Sequence, residues 1–227
     1  MVMFYIVATP IGNLEDITLR ALRVLKEVDI ILCEDTRVTK KLLHHFKIAT
    51  PTESYHSQSR FTKTEKILRF LEEGKQCALV TDSGTPTISD PGSHLVSLVR
   101  EKFGERVSIV PIPGPSALTA ALSVSGIPVQ EFVFLGFLPH KKGRETLFKE
   151  IKDSKRTVVF YESPHRIEKT LASLHVHLSS ERKVVIAREL TKIYEEVVSG
   201  TSEEVALYFQ KNKDKVRGEF VVLVSGK

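Results

Sequence analysis

The chain has 227 residues, enough for one large domain or two small ones, either of which can bury an adequate core. Its 41% hydrophobic and 27% charged residues suit an ordinary globular protein, and no apolar run approaches the roughly 20 residues that span a bilayer. A net charge of +5 permits a polyanionic partner but does not demand one, since the excess is modest and no arginine-rich tail carries it.

In chain order, residues 4–8 form a continuous apolar run, as expected of a strand covered on both faces. No basic segment precedes this run and no small-residue cleavage site follows it, so a strand is favoured over a signal peptide. A loop holding Pro10 and Gly12 follows. Ile17, Leu19, Leu22, Leu25 and Val28 then recur at helical spacing, with Asp16 as the expected N-cap. Residues 30–33 read as a second buried strand and 40–46 as a second helix. Ile67, Leu68 and Leu71 mark a third helix, ended by Gly74. Two more strands, at 78–80 and 107–110, flank a helix near 95–99. This alternation predicts an α/β fold with a mostly parallel sheet, assigned to an N-terminal domain of residues 1–113. Its ligand crevice is expected at the loops after the strand C-termini.

The texture changes at Pro111-Ile112-Pro113-Gly114-Pro115, through which no helix or central strand can run. A small-residue helix is expected at 117–122. Strands at 132–137, 158–161, 184–187, 196–199 and 220–224 follow, with helices near 145–151, 167–174 and 203–209 between some of them. Fewer helical crossovers predict a mixed sheet in a C-terminal α/β domain, residues 114–227. Cys33 and Cys77 lie in or beside strand-like runs and read as buried small hydrophobes of a reducing, cytoplasmic compartment.

Several loops carry groups suited to chemistry. Ala8-Thr9-Pro10-Ile11-Gly12-Asn13-Leu14 sits where a cofactor loop would, yet matches neither a dinucleotide fingerprint nor a P-loop; a plain turn fits it too. Thr81 to Gly92 holds two Asp, two Gly, two Pro and five hydroxyls directly after a buried strand, which leaves room for a ligand held by backbone and small side chains. Pro113-Gly114-Pro115-Ser116-Ala117 opens a helix with Pro115 in its first turn, suited to a polar ligand group or to an interdomain hinge. Tyr161-Glu162-Ser163-Pro164-His165-Arg166 and Arg188-Glu189-Leu190-Thr191-Lys192 each end a strand in charges, where a solvated loop is the bland alternative. His44 and His45 are adjacent on a helix and point apart, and no cluster has metal-ligand spacing, so no metal is expected.

Together these segments closely resemble the ribosomal RNA small subunit methyltransferase I family. The resemblance rests on residues 5–14, Glu34-Asp35-Thr36-Arg37, residues 81–86 with Ser89-Asp90-Pro91-Gly92, residues 113–117, Phe134-Leu135-Gly136-Phe137-Leu138-Pro139 and residues 161–166, in one order along nearly the whole chain. It implies a two-domain class III (tetrapyrrole-methylase-like) methyltransferase, with S-adenosylmethionine in the cleft between the domains. It also implies a homodimer and 2′-O-methylation of a cytidine in the decoding region of 16S rRNA within the small ribosomal subunit. The glycine-rich first loop and Gly-Asp-Pro motif of the broader superfamily are replaced here by Thr9-Pro10-Ile11-Gly12-Asn13 and Asp82-Ser83-Gly84-Thr85-Pro86, which favours the RNA branch. A methyltransferase for a tetrapyrrole or other small molecule, and a non-catalytic RNA-binding or assembly protein, are the competing readings.

On this resemblance the cofactor-binding candidates are Pro10, Gly12, Asp82, Ser83, Gly84, Ile88, Ser116 and Ala117. A poorly nucleophilic 2′-hydroxyl gains from a nearby base. The catalytic candidates are Glu34, Asp35, Glu162, His165 and Glu189, with Arg37, and with Arg166 and Lys192 as phosphate or oxyanion partners. Of these His165 has the ordinary titration range best matched to neutral pH. RNA contacts are expected from Lys40, Lys41, Arg60, Lys63, Lys141, Lys142 and Arg144, the last three in a flexible basic loop.

Overall fold

A computed structural model describes the backbone of residues 1–55 and 61–227. It divides into two compact units, Met1–Ser116 and Ala117–Lys227.

The first unit is a parallel sheet of five strands, β1 (Val2–Val7), β2 (Ile30–Cys33), β3 (Thr52–Ser54), β4 (Cys77–Leu79) and β5 (Val107–Ile112), in the order β3-β2-β4-β1-β5. Four helices supply the crossovers, α1 (Leu19–Glu27), α2 (Thr36–His45), α3 (Phe61–Glu72) and α4 (Gly92–Phe103). Side chains alternate across the strands, so the sheet builds two cores. Val7, Ile31, Cys33 and Ala78 pack with Ala21, Val24, Leu25, Leu42 and Leu43 of α1 and α2. Phe4, Leu32, Cys77 and Leu79 pack with Ile67, Leu71, Leu95 and Val99 of α3 and α4. Both cysteines are free and buried, one in each core, and burial pushes the Cys77 thiol up to about 12.

Two local expectations need correction. Thr18, not Asp16, caps α1: its hydroxyl accepts from the Ala21 N–H at 3.0 Å, while Asp16 lies in a preceding 3-10 turn. The strand β5 runs past its expected end at 110, through Pro111 to Ile112; it is an edge strand and not a central one, and tolerates the proline because one side of it has no ladder to lose.

The second unit is a mixed sheet of β6 (Phe132–Phe137), β7 (Thr157–Glu162), β8 (Lys183–Arg188), β9 (Glu196–Thr201) and β10 (Phe220–Val224), ordered β6-β7-β10-β8-β9. Only β6 and β7 pair in parallel; the other neighbours are antiparallel. Three helices, α6 (Arg144–Asp153), α7 (Ile167–His177) and α8 (Ser202–Lys211), cover the face that shows Val158, Phe160, Ile186 and Val222. The short α5 (Ala117–Val124) covers Val159, Val185 and Leu223 on the other. A reciprocal capping box between Thr201 and Glu204 fixes where α8 starts. The fold is thus an α/β pair of one parallel and one mixed sheet.

Candidate active site

Because the first sheet is all parallel, its strand C-termini share one edge, and every loop singled out in the sequence of this unit leaves from it. The loops after β1 and β4 are stitched together. The Thr9 N–H donates to the Gly84 carbonyl at 2.9 Å and the Gly84 N–H returns the bond to Thr9 at 3.1 Å. The Thr9 hydroxyl donates to the Thr81 carbonyl at 3.0 Å, and Thr85 donates to Pro115 O at 3.1 Å. Gly84 has φ +86°, and it is this left-handed turn that favours glycine, since a Cβ there would meet Ile11 Cγ2 at an ordinary contact distance of 3.4 Å. Thr87 and Ser89 hold left-handed backbone at φ 76° and 66°, strain that clusters at ligand sites. Between them Ile88 is 42% exposed, an apolar side chain held at the rim.

Three carboxylates meet at this edge. Glu34 follows β2 and accepts a hydrogen bond from the Thr81 hydroxyl. Burial pushes its carboxyl up, and the charges of Asp90 and Asp82 add to the rise. Asp82 accepts from the Asp35 N–H at 3.1 Å and is likewise raised by burial and by Asp35. Asp90 accepts from Gly92 N at 2.7 Å and is raised by burial against the pull of the Gly92, Thr87 and Ile88 N–H groups; its Oδ2 is buried with no hydrogen-bond partner among the described residues. Asp35 behaves oppositely. It caps α2 and takes a two-oxygen grip on Arg37, which brings its carboxyl down to about 2. Asp35 is therefore a poor base, and Arg37 projects into solvent with its side chain 87% exposed.

The other candidates of this unit are placed as follows. Pro10 is half-buried, and Gly12, Ser83, Lys40 and Lys41 are exposed. Lys63 donates to Ser54 Oγ, and Arg60 lies outside the described residues. The motif at 113–117 is divided: Pro115 and Ser116 precede the helix, and Ala117 is the first residue of α5. Pro115 is thus outside the first helical turn where the sequence reading put it.

In the second unit β6, β7 and β8 end at a common edge. Glu162 lies there with its side chain fully buried. Its Oε1 accepts from Ser163 N at 2.8 Å and pairs with Arg166 Nη2 at 2.7 Å. Its Oε2 accepts from the Thr170 hydroxyl at 2.6 Å, with Arg144 Nη2 at 3.4 Å. Four donors use the lone pairs that a carboxylate offers, so none is left for a substrate proton. That corrects the expectation that Glu162 is a catalytic base. Arg144 needs correction as well. The expected exposed phosphate contact is the first residue of α6, 5% exposed, and its guanidinium lies 5.1 Å from the centre of the Phe148 ring. Lys141 and Lys142 are exposed, as is His165.

Glu189 has a left-handed backbone, φ 52°. Burial pushes its carboxyl up, but the Lys192 ammonium at 2.8 Å and the Glu219 N–H at 3.0 Å outweigh that and bring it down. It is therefore an ion-pair anchor, poorly suited to collecting a proton. Thr170 and Asp90 are site residues that the sequence alone does not point to. Thr170 is a threonine on the buried side of a helix and gives no linear signal; the composition of the Thr81–Gly92 loop marks the loop but does not single out Asp90.

The tetrapyrrole (corrin/porphyrin) methylase family model matches residues 3–206. The ribosomal RNA small subunit methyltransferase I of Halalkalibacterium halodurans is 49% identical over 98% of this chain and 75% of its own. The protein of that name from Thermotoga maritima is 46% identical over 98% of this chain and 97% of its own. The chain belongs to the tetrapyrrole methylase family, within the group of relatives named ribosomal RNA small subunit methyltransferase I. Among solved structures, uroporphyrin-III C-methyl transferase from Thermus thermophilus complexed with S-adenyl homocysteine superposes with a TM-score of 0.64, at 19% identity, over 99% of this chain and 97% of that one. That likeness carries the fold.

Proposed function

We propose that this methyltransferase transfers a methyl group from S-adenosylmethionine to the ribose 2′-hydroxyl of a cytidine in the decoding region of small-subunit ribosomal RNA. Kinship carries the substrate: relatives close to half identical over nearly the whole chain bear the rRNA name. A homodimer, and the cytoplasm as the place where small subunits are found, go with this reading.

The first sheet's edge fits the methyl donor. S-adenosylmethionine supplies a methyl on a positively charged sulfonium, and transfer is an in-line displacement in which a C–O bond forms as the C–S bond breaks and the hydroxyl proton leaves. Glu34, Asp82 and Asp90 crowd negative charge there, and all three carboxyls are held above their ordinary range. A cationic, hydroxyl-bearing ligand relieves that crowding. The backbone of residues 82–84, Pro10 and Gly12, with Ile88 as apolar rim and Ser116 next to Pro115, whose carbonyl holds the Thr85 hydroxyl, would hold and bend it. Positioning supplies much of the rate in such a transfer. This reading assigns the 2′-hydroxyl proton to Glu34, whose raised carboxyl lies nearer neutral pH and whose Oε1 is fixed by Thr81.

RNA would be gripped by Lys40 and Lys41 on α2 and by Lys141 and Lys142 on the second unit, all exposed. The test is methyl incorporation from labelled donor with three acceptors: small subunits from a strain lacking the enzyme, naked rRNA and a set of precorrins. Label in the subunits supports the reading; label only in a precorrin sinks it.

A further inference from the structure

The buried network around Glu162 has more reach than a core ion pair needs. Arg166 Nη2 holds Glu162 Oε1 while its Nη1 donates to Leu138 O at 2.8 Å. Arg144 Nη2 donates to the Thr170 hydroxyl at 2.6 Å, and that hydroxyl passes a bond on to Glu162 Oε2. Arg144 Nη1 donates to Pro139 O at 3.2 Å. Two guanidiniums thus spend one arm on the same carboxylate and the other on consecutive carbonyls at the start of the 138–143 loop. The far end of that loop is anchored by Arg144 itself, the residue that opens α6. Between these anchors stand His140, Lys141, Lys142 and Gly143, the lysines exposed and Gly143 at φ 83°.

We propose that Glu162 is a positioning residue that fixes the 138–143 loop so that Lys141 and Lys142 are presented to ribosomal RNA. This rests on the rRNA reading above. The carboxylate touches no substrate. It orients Arg144 and Arg166, and they fix the ends of the loop, so the lysines lose less freedom when they meet phosphates. Planar guanidiniums suit this, because each presents donors in two directions at once. An apolar core of the same volume would be at least as stable, but it would leave the Leu138 and Pro139 carbonyls unheld.

The test is a double-mutant cycle on the full chain with small subunits: wild type, E162Q, K141A/K142A and the combination. Subunit affinity is measured at several salt concentrations and donor affinity by calorimetry. Glutamine keeps the shape of Glu162 but removes the charge that two arginines share. E162Q is expected to weaken subunit binding about fivefold to tenfold, close to the ~1.4 kcal/mol that one decade represents, and to leave donor affinity within about twofold. In the K141A/K142A background it should add almost nothing. T170V, which removes only the hydroxyl relay to Arg144, should show the same pattern in weaker form and serves if E162Q does not fold. Equal losses in both backgrounds, or no loss in the wild-type background, would overturn the proposal. So would a K141A/K142A chain that binds subunits normally. A wild-type chain with no affinity for small subunits would overturn the rRNA reading and this proposal with it.

Discussion

Thr9 and Gly84 exchange two backbone hydrogen bonds across 75 residues of sequence, and the Thr9 hydroxyl adds a third link to Thr81. This pair joins the loops after β1 and β4, so the shape of the proposed donor site depends on it. Gly84 at φ +86° is its weak point. Gly84→Ala should cost about 1–2 kcal/mol through left-handed strain, and each kcal/mol lowers Tm by roughly 2–4 °C in a chain of this size. Donor affinity should fall by more than about tenfold, because the loop backbone must shift. Differential scanning and isothermal calorimetry read the two effects separately; a destabilised variant with normal donor affinity would detach the loop from the site.

The carboxylate cluster gives a pH prediction with a definite sign. Glu34 and Asp82 have folded pKa values above their ordinary range. Their ionisation therefore costs stability, a cost absent below about pH 4 that grows as pH rises through the folded values. Asp82→Asn keeps the acceptor for Asp35 N–H and removes one charge. It should raise Tm at pH 8, with the gain vanishing on acidification, and lower the Glu34 pKa followed by carboxyl NMR. Donor binding should be lost in the same variant. Glu34→Gln should weaken donor binding, because the cluster loses one of its three charges, and should also lower kcat at saturating donor by about 100-fold or more if Glu34 takes the proton.

Glu189 has the opposite sign. Its carboxyl is lowered, so the Lys192–Glu189 pair stabilises above the ordinary carboxylate range and is lost as pH falls through the folded value. Glu189→Gln should cost no more than about 1 kcal/mol at pH 7, measured by urea titration, and the cost should fade below about pH 4. Gly218→Ala should cost more at every pH. A Cβ at Gly218 would come 2.3 Å from Glu189 Cδ, and φ there is +86°.

The exposed lysines separate grip from chemistry. Lys40→Ala with Lys41→Ala, or Lys141→Ala with Lys142→Ala, should each weaken small-subunit binding and flatten its log–log salt dependence. Each lost phosphate contact should remove about 0.7–0.9 from the slope. Donor affinity should be untouched. A pair that changes affinity without changing the slope is not meeting phosphates.

The two sheets were legible because burial leaves a plain record in sequence. Residues 4–7 and 220–224 are apolar runs whose alternate side chains serve two cores. β3 was missed: Thr52-Glu53-Ser54 is short, polar and at an edge, where one partner strand suffices. The loop from Thr81 to Gly92 announced itself by composition, and it does lie at the strand C-termini. The roles of individual charges did not announce themselves. Arg144 reads as part of His140-Lys141-Lys142-Gly143-Arg144, a solvated basic run, and Glu162 as a polar residue at a strand end. Only the fold brings Thr170, eight residues on and one helix turn inside, against both. Partnership of that kind depends on where side chains meet across elements, and linear spacing does not encode it.

Methyl transfer to a ribose oxygen of small-subunit rRNA leaves a chemical mark that alkali reveals. The most direct measurement treats subunits from a strain lacking the enzyme with the purified protein and labelled donor, then subjects the rRNA to complete alkaline hydrolysis. A 2′-O-methyl group removes the hydroxyl that attacks the adjacent phosphate, so one phosphodiester should survive and the label should appear in an alkali-stable dinucleotide with methylated cytidine on its 5′ side. Label released in a mononucleotide would place the methyl on a base, and unlabelled rRNA would deny the substrate; either result would contradict the account.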